Sequence, residues 1–259
     1  MTATITYHSI DDSGSPISIA PGEFDGHLRW LTSGRIRVLP LDELVGHHPG
    51  AADAAAVTFD DGFLNTRGPI EALLAHGVPV TIFVVTGQVG GTNRWGGREA
   101  AGIPTLPLLG WQDLEDLMTR GATIAAHTRT HPALTRVSAE ALDDELFGAR
   151  EELARRLGSA SAHVAYPYGD VDDRVVARTG AYYRWGHTTE FRTFTSRESS
   201  LRLPRLDMYY FRAPGALDAW GTARFRRHIA WCRARRRVRA ALVGAPSPAR
   251  GAQPPGGTR

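Results

Sequence analysis

The sequence predicts an α/β fold in which parallel strands form a barrel-like sheet and helices pack outside it. Two observations carry this expectation. After Gly62, short apolar and β-branched runs alternate with amphipathic segments, the pattern of parallel strands joined by crossover helices. Several of the runs also end in residues able to do chemistry: His8, Asp60 with Asp61, His127 and Tyr168. In a parallel barrel all strand carboxyl ends face the same way, so groups distant in sequence can converge on one pocket. A chain of 259 residues that is 42% hydrophobic can bury one such core, and a second full domain is not expected.

Taken in order, Ala3 to Tyr7 alternates small, β-branched and aromatic residues and predicts a strand with His8 at its carboxyl end. Pro21 opens a helix with Phe24, Leu28 and Leu31 on one face and Gly34 as its end. Arg35 to Leu39 reads as a strand and Leu41 to Val45 as a helical turn, and Gly46 to Asp53 is polar and small. The apolar run Ala54-Ala55-Ala56-Val57 then meets Thr58-Phe59-Asp60-Asp61-Gly62. Two carboxylates directly after a buried strand are costly unless each has a metal, a cation or several hydrogen bonds, and Gly62 lets the backbone turn away. Taken alone, Asp-Asp-Gly is also an ordinary turn composition.

Ile70, Leu73 and Leu74 mark a helix ending near Gly77, and Pro79 to Val85 is a continuous buried-strand run. The Gly-rich segment Thr86 to Gly110 is long for a compact domain and is expected at the mouth of a site. Trp111 to Arg120 is a short helix, and Ala122 to Ala126 a strand that delivers His127. Ser138 caps the longest amphipathic helix, striped by Leu142, Leu146, Leu153 and Leu157 and stopped by Gly158. Ala162 to Ala165 leads into Tyr166-Pro167-Tyr168-Gly169-Asp170; a helix over Val171 to Arg178 and strands over Tyr182 to Thr188 and Leu201 to Leu206 follow.

From Ala216 to about Leu242 the chain reads as a basic helix, with Arg233, Arg235, Arg236, Arg237 and Arg239 crowded together. A solvated face is the simplest account of it, while Trp220, Phe225, Ile229 and Trp231 make peripheral contact with an anionic membrane physically reasonable. The Pro/Gly/Ala/Ser-rich run after Gly244 lacks the apolar content to fold. The expected division is a barrel over 1–215, a basic helix over 216–243 and a disordered tail over 244–259.

Formal charge is +3 and the pI near 9.3, yet all 30 cationic residues are arginine and many lie in the last fifth of the chain. The body is near neutral, and no nucleic-acid partner is expected. The single cysteine, Cys232, excludes an intrachain disulfide and a cysteine-rich zinc site. The amino terminus has neither a cationic start nor a signal-length apolar run, so a cytoplasmic location is expected, and composition leaves oligomeric state open.

His127-Thr128-Arg129-Thr130-His131-Pro132 places two imidazoles four residues apart. Pro132 disfavours helical geometry at His131, so a strand end and turn should present both rings. Two unrelated surface histidines would read the same way. One carboxylate with two histidines is nevertheless a common open metal set.

With their order and spacing, Thr58-Phe59-Asp60-Asp61-Gly62, His127 to Pro132 and Tyr166-Pro167-Tyr168-Gly169 resemble the first three motifs of the polysaccharide deacetylases, carbohydrate esterase family 4. Tyr7-His8-Ser9-Ile10 and Leu203-Pro204-Arg205 resemble the branch containing poly-N-acetylglucosamine deacetylases. The resemblance spans nearly residues 1 to 210. It implies a distorted (β/α) barrel of about seven parallel strands, the NodB-like deacetylase fold, with one divalent metal and hydrolysis of an N-acetyl group from a sugar or glycoconjugate. Asp61, His127 and His131 would be metal ligands, with zinc favoured by the ligand set. Asp60 would be the general base, and the Tyr168 N–H after Pro167 would help hold the oxyanion. Arg94, Trp95 and Pro167 are candidate substrate contacts.

Two departures from the family pattern stand out. Many members carry an arginine where this chain has Ala165, and Arg205 is the candidate replacement that would orient the base. No late Leu-x-His motif supplies the general acid, so His8 is the candidate, with a carboxylate such as Asp11 or Asp12 keeping it protonated, and His187 is the weaker alternative. An O-acetyl esterase could use the same site, and so could a catalytically silent carbohydrate-binding relative. Retention of Asp60 beside the three ligands argues against the silent relative, since a binder needs no base.

Overall fold

The computed structural model describes residues 1–46 and 53–243. Its strands are β1 (Thr2–Tyr7), β2 (Ser9–Ile10), β3 (Ser18–Ile19), β4 (Arg37–Val38), β5 (Ala54–Phe59), β6 (Val80–Val84), β7 (Thr123–Ala126), β8 (His163–Ala165), β9 (Trp185–His187) and β10 (Arg205–Asp207). The main sheet runs β10-β1-β5-β6-β7-β8-β9, with every pairing parallel. β4 adds to the first residues of β5, while β2 and β3 form a small separate ladder. The sheet nearly closes on itself. Leu203 bridges His187 in parallel register, its N–H donating to the Gly186 carbonyl at 2.8 Å and its carbonyl accepting from Thr188 N–H at 2.8 Å.

Strand side chains alternate in direction, so the register sorts residues to two faces. Outward, Ile5, Val57, Phe59, Ile82, Val84 and Val164 join one apolar core with helix residues such as Leu73, Leu117 and Leu153. Inward, the strands present small or polar groups: Thr4 opposite Ala56 and Arg205, Thr6 opposite Thr58, and Ala165 opposite His187. Leu41 and Leu44, on the helix Leu41–Gly46, pack with Ala54, Ala56, Phe83, Ala125 and Ala165 and fill the amino-terminal end of the barrel. The small inner residues leave room for the buried Arg205, His163 and His187.

Helices Pro21–Leu31, Arg67–Ala75, Trp111–Thr119 and Asp173–Thr179 begin after strand carboxyl ends and cover the outer face. In the first, Pro21 occupies the opening turn and the Glu23 carboxylate accepts the Ala20 N–H at 2.8 Å. Ser138 caps its helix as expected, its Oγ accepting the Ala141 N–H at 3.2 Å. That helix is not continuous, however. Ala139–Asp143 and Ala149–Leu157 are separated by a π turn, Asp144–Gly148.

The strand expected over 182–188 shrinks to β9, because the N–H groups of Tyr182 and Tyr183 turn back to the Thr179 carbonyl. The strand expected over 201–206 becomes β10, which starts only after Pro204, a residue with no N–H to donate. The strand expected over 35–39 is the two-residue β4. At the carboxyl end a 3-10 turn, Ala216–Ala219, precedes the helix Ala223–Val243. Trp220, Phe225 and Ile229, expected as lipid-facing groups, are instead buried against the barrel, leaving Trp231 as the exposed member of that set. Among the described residues no helix is long and apolar enough to cross a membrane. The tail expected to be disordered, 244–259, and most of the polar stretch after Gly46 lie outside the described residues.

Candidate active site

The site is built where β5, β7 and β8 end. Asp60 continues β5 by donating its N–H to the Tyr7 carbonyl at 2.9 Å, and the chain then turns at Asp61 (φ +68°) and Gly62 (φ +75°). His127 likewise extends β7, with its N–H on the Val84 carbonyl at 2.8 Å. The turn after it passes through Thr128 (φ +64°) and His131 (φ +65°), and Tyr168 after β8 has φ +60°. Left-handed backbone at non-glycine residues is costly and persists where surroundings enforce it. Among the described residues these four are the non-glycine positions with positive φ, and all flank one cavity. Next to Tyr168, Gly169 lies so close to Thr189 that a Cβ there would overlap the Thr189 hydroxyl.

The strain in the 127–131 turn is held by Glu145, which the sequence reading did not single out. Glu145 is buried; Oε2 accepts the N–H groups of Arg129 and Thr130 at 2.9 and 2.8 Å, and Oε1 accepts the Thr130 hydroxyl. It sits in the π turn, a distortion that re-aims a side chain within an otherwise regular helix. Thr128 completes the clamp by accepting the His131 N–H on its hydroxyl at 3.1 Å.

These turns bring Asp61, His127 and His131 together. Asp61 Oδ1 lies 3.4 Å from His127 Nε2 and 3.3 Å from His131 Nε2, and the three candidate donor atoms lie within 4.8 Å of one another. His127 Nδ1 is 2.8 Å from the Ala165 carbonyl, which can only accept, so Nδ1 carries hydrogen. His131 Nδ1 meets the Tyr168 hydroxyl at 3.2 Å. Both contacts are outer partners of the kind that aim Nε2 of a neutral imidazole at a metal. Burial alone would raise the Asp61 pKa, but the two imidazoles outweigh it and hold the carboxyl well below its ordinary range. Asp61 Oδ1 is buried without a hydrogen bond of good geometry. An unsatisfied carboxylate oxygen facing two imidazole nitrogens fits a divalent cation.

Asp60 faces a different set of partners. Its Oδ1 accepts from Arg205 Nη1 at 2.6 Å, and its Oδ2 lies 3.7 Å from His8 Nε2. Arg205 is 2% exposed; its Nε donates to the Thr188 carbonyl at 3.0 Å and its guanidinium lies over Phe83, 5.5 Å from the ring centre. Burial pushes the Asp60 pKa up, Arg205 together with His127 and His8 overrides it, and the net direction is down. Arg205, on β10, is thus the cation paired with Asp60, where many family members place an arginine at the position of Ala165. The carboxylate paired with His8 is Asp60 itself. Asp11, expected there, is engaged by Ser9, Ser13 and Ser18, and Asp12 is exposed.

A cavity of about 170 Å³ opens over these groups, lined by His8, Asp60, Asp61, Trp95, Ile103 and Tyr168 among others. The segment after Thr86 folds over it, tied down by antiparallel bridges Phe63–Leu108 and Thr92–Pro107 and by the buried Asn93 side chain on Pro104 and Leu106. Trp95 stacks on His131 with ring centres 4.5 Å apart. Arg94 is exposed near Glu99 and Pro167 is buried, and neither lines the cavity. Tyr168 is 57% exposed overall, yet its hydroxyl end is desolvated beside Asp61, which pushes its pKa up to about 12. His187 is fully buried beneath this level, hydrogen-bonded to His163 at 2.9 Å, and burial keeps its pKa well below the ordinary value. It does not line the cavity, so it is not placed to reach a molecule bound there. A larger cavity, about 820 Å³, lies between helix Pro21–Leu31 and residues 211–218 and contains none of the strand-end groups.

Comparison with known proteins agrees with this architecture. Residues 47–183 match the polysaccharide deacetylase family, and the chain belongs to that family. YxkH of Bacillus subtilis (strain 168), which carries the family's name, is 23% identical over 194 residues, covering 72% of this chain and 63% of YxkH. The poly-beta-1,6-N-acetyl-D-glucosamine N-deacetylase of Staphylococcus aureus (strain MSSA476) is 23% identical over 208 residues, covering 73% of this chain and 67% of that protein. This chain therefore spans under two thirds of YxkH and about two thirds of the staphylococcal enzyme. IcaB from Ammonifex degensii shares the fold at a TM-score of 0.66 and 20% identity, over 90% of this chain and 97% of that one.

Proposed function

We propose that this chain hydrolyses an N-acetyl group from an N-acetylated sugar or glycoconjugate, using one divalent cation, with zinc favoured, held by Asp61, His127 and His131. The observation that carries the reading is the pairing of two adjacent carboxylates with different partners: Asp61 with two imidazoles, Asp60 with a buried guanidinium. A binding protein has no use for the second carboxylate.

A divalent cation at Asp61, His127 and His131 supplies Lewis acidity, polarising an acyl carbonyl and acidifying water. Asp60, kept ionised by Arg205, takes the proton from the water that attacks the carbonyl carbon. The N–H of Tyr168 donates to the oxygen that gains charge. As the C–N bond breaks, His8 gives the amine nitrogen its proton, and Asp60 Oδ2, 3.7 Å from His8 Nε2, is placed to pass on the proton it took from water, so that both groups end as they began. Trp95 covers His131 and offers an aromatic face to a sugar ring.

The test is acetate release from N-acetylglucosamine-containing acceptors of increasing length, measured with zinc restored after chelation. Asp60→Asn should retain metal and lose about two to four orders of magnitude in turnover, as removal of a general base does. His127→Ala should lose metal. His8→Ala should fail on the amide yet spare an activated acetyl ester, whose leaving group needs no proton. Acetate released from O-acetyl but never from N-acetyl acceptors would replace this reading with an esterase.

A further inference from the structure

We propose that the exposed face of the helix Ala223–Val243 is a docking surface for an anionic lipid bilayer, placed beside the rim of the catalytic cavity. The helix has 21 residues, none of them acidic. On it, Arg224, Arg227, Trp231, Arg235 and Val238 recur at intervals of three or four, which puts them on one stripe, and all are exposed. Trp231 is 54% and Val238 58% exposed, and the Arg235 guanidinium lies 4.6 Å from the Trp231 ring centre. Among the described residues no carboxylate pairs with Arg224, Arg227 or Arg235.

The opposite face explains why the stripe points outward. Phe225, Ile229 and Cys232 are buried, Phe225 stacks on Phe211 at 5.0 Å, and His228 Nε2 donates to the Tyr210 carbonyl at 2.8 Å. Gly221, just before the helix, abuts Asp53 at the amino-terminal end of β5. Fifteen positions later, Arg236 donates to the Thr189 carbonyl at 3.2 Å, and Thr189 lines the catalytic cavity. The helix therefore climbs the barrel wall from its amino-terminal end to the catalytic rim, and the residues after Arg236 extend about 10 Å further at 1.5 Å per residue.

Guanidiniums flanking an exposed indole and isopropyl group suit a bilayer surface, where phosphates meet the first apolar layer. A nucleic-acid backbone would satisfy the arginines and leave Val238 in water. Charge complementarity together with the apolar members of the stripe thus selects anionic lipid. Resting on the deacetylase reading, such docking would bring the Thr189 rim to glycans anchored in that bilayer.

The test is sedimentation of the full chain with vesicles of phosphatidylcholine alone or containing phosphatidylglycerol. Binding is expected to the anionic vesicles only, falling as salt rises. The triple variant Arg224→Gln, Arg227→Gln, Arg235→Gln should bind roughly a hundredfold more weakly, since each surface arginine contributes about a fivefold factor. Trp231→Ala should weaken binding without changing its salt dependence. All these side chains face solvent, so the melting temperature should hold. Equal binding by the triple variant, equal binding to neutral vesicles, or salt-sensitive binding to duplex DNA with none to vesicles would each overturn the proposal. Vesicle binding is read without turnover, so it stands or falls independently of the proposed chemistry.

Discussion

At the scale of single residues, the two aspartates illustrate how neighbours assign opposite tasks to the same side chain. Arg205 carries the clearest prediction. Arg205→Met keeps the volume but strands Asp60 as a buried charge, which should cost about 3–5 kcal/mol in denaturant unfolding. Asp60 is held below its ordinary pKa by Arg205; without that cation burial dominates and the pKa moves up. The acid limb of the pH–rate profile should therefore shift to higher pH, an effect a purely structural arginine would not produce. The strand-end residues were legible in the sequence because charged or imidazole side chains directly after apolar runs are conspicuous. Glu145 and Thr128 were not, since a glutamate within an amphipathic helix and a threonine between two histidines look ordinary until the backbone angles are known.

At the scale of elements, the π turn Asp144–Gly148 matters most, because it places Glu145 under the 127–131 turn. Replacing the carboxylate by an amide removes a charged acceptor from two backbone donors. Glu145→Gln should lower stability by about 1.5–3 kcal/mol and weaken retention of an added divalent cation in a chelator competition, while leaving both imidazoles in the chain. No periodicity announces such a turn; a stripe of leucines survives one extra residue. The long segment after Thr86 was legible as a cover for the site by its length alone, yet which side chain it would bring down was not, and Trp95 rather than Arg94 reaches the cavity. Strand limits around β9 and β10 were illegible for another reason. They depend on which partner carbonyl each N–H finds, and those partners lie far away in the chain.

At the scale of the whole molecule, the barrel interior is polar where an apolar filling is more common, and this links stability to pH. His163 and His187 are buried with pKa values lowered by desolvation. Unfolded, each would titrate near 6.5, so below that pH the unfolded chain binds protons that the folded chain refuses. Their contribution to stability should be level above about pH 6.5 and decline as pH falls further, and His187→Phe should flatten part of that decline in melts taken from pH 7.5 to 5. A curve unchanged by the substitution would exclude His187 as a source. The left-handed angles at Asp61, Thr128, His131 and Tyr168 bear on the same total. At about 1–2 kcal/mol per left-handed residue, they oppose a net stability that is on the order of 5–15 kcal/mol for ordinary domains. Selection for heat resistance would then act on this protein in opposite ways according to the medium. In the presence of a chelator, glycine at Asp61 relieves the backbone and removes a buried carboxylate oxygen that has no hydrogen bond, so survivors should accumulate that change, whereas His131 is retained for its stacking on Trp95. With a divalent cation supplied, loss of either residue would forfeit the stabilisation that cation binding would confer on the folded state, and survivors should keep both residues.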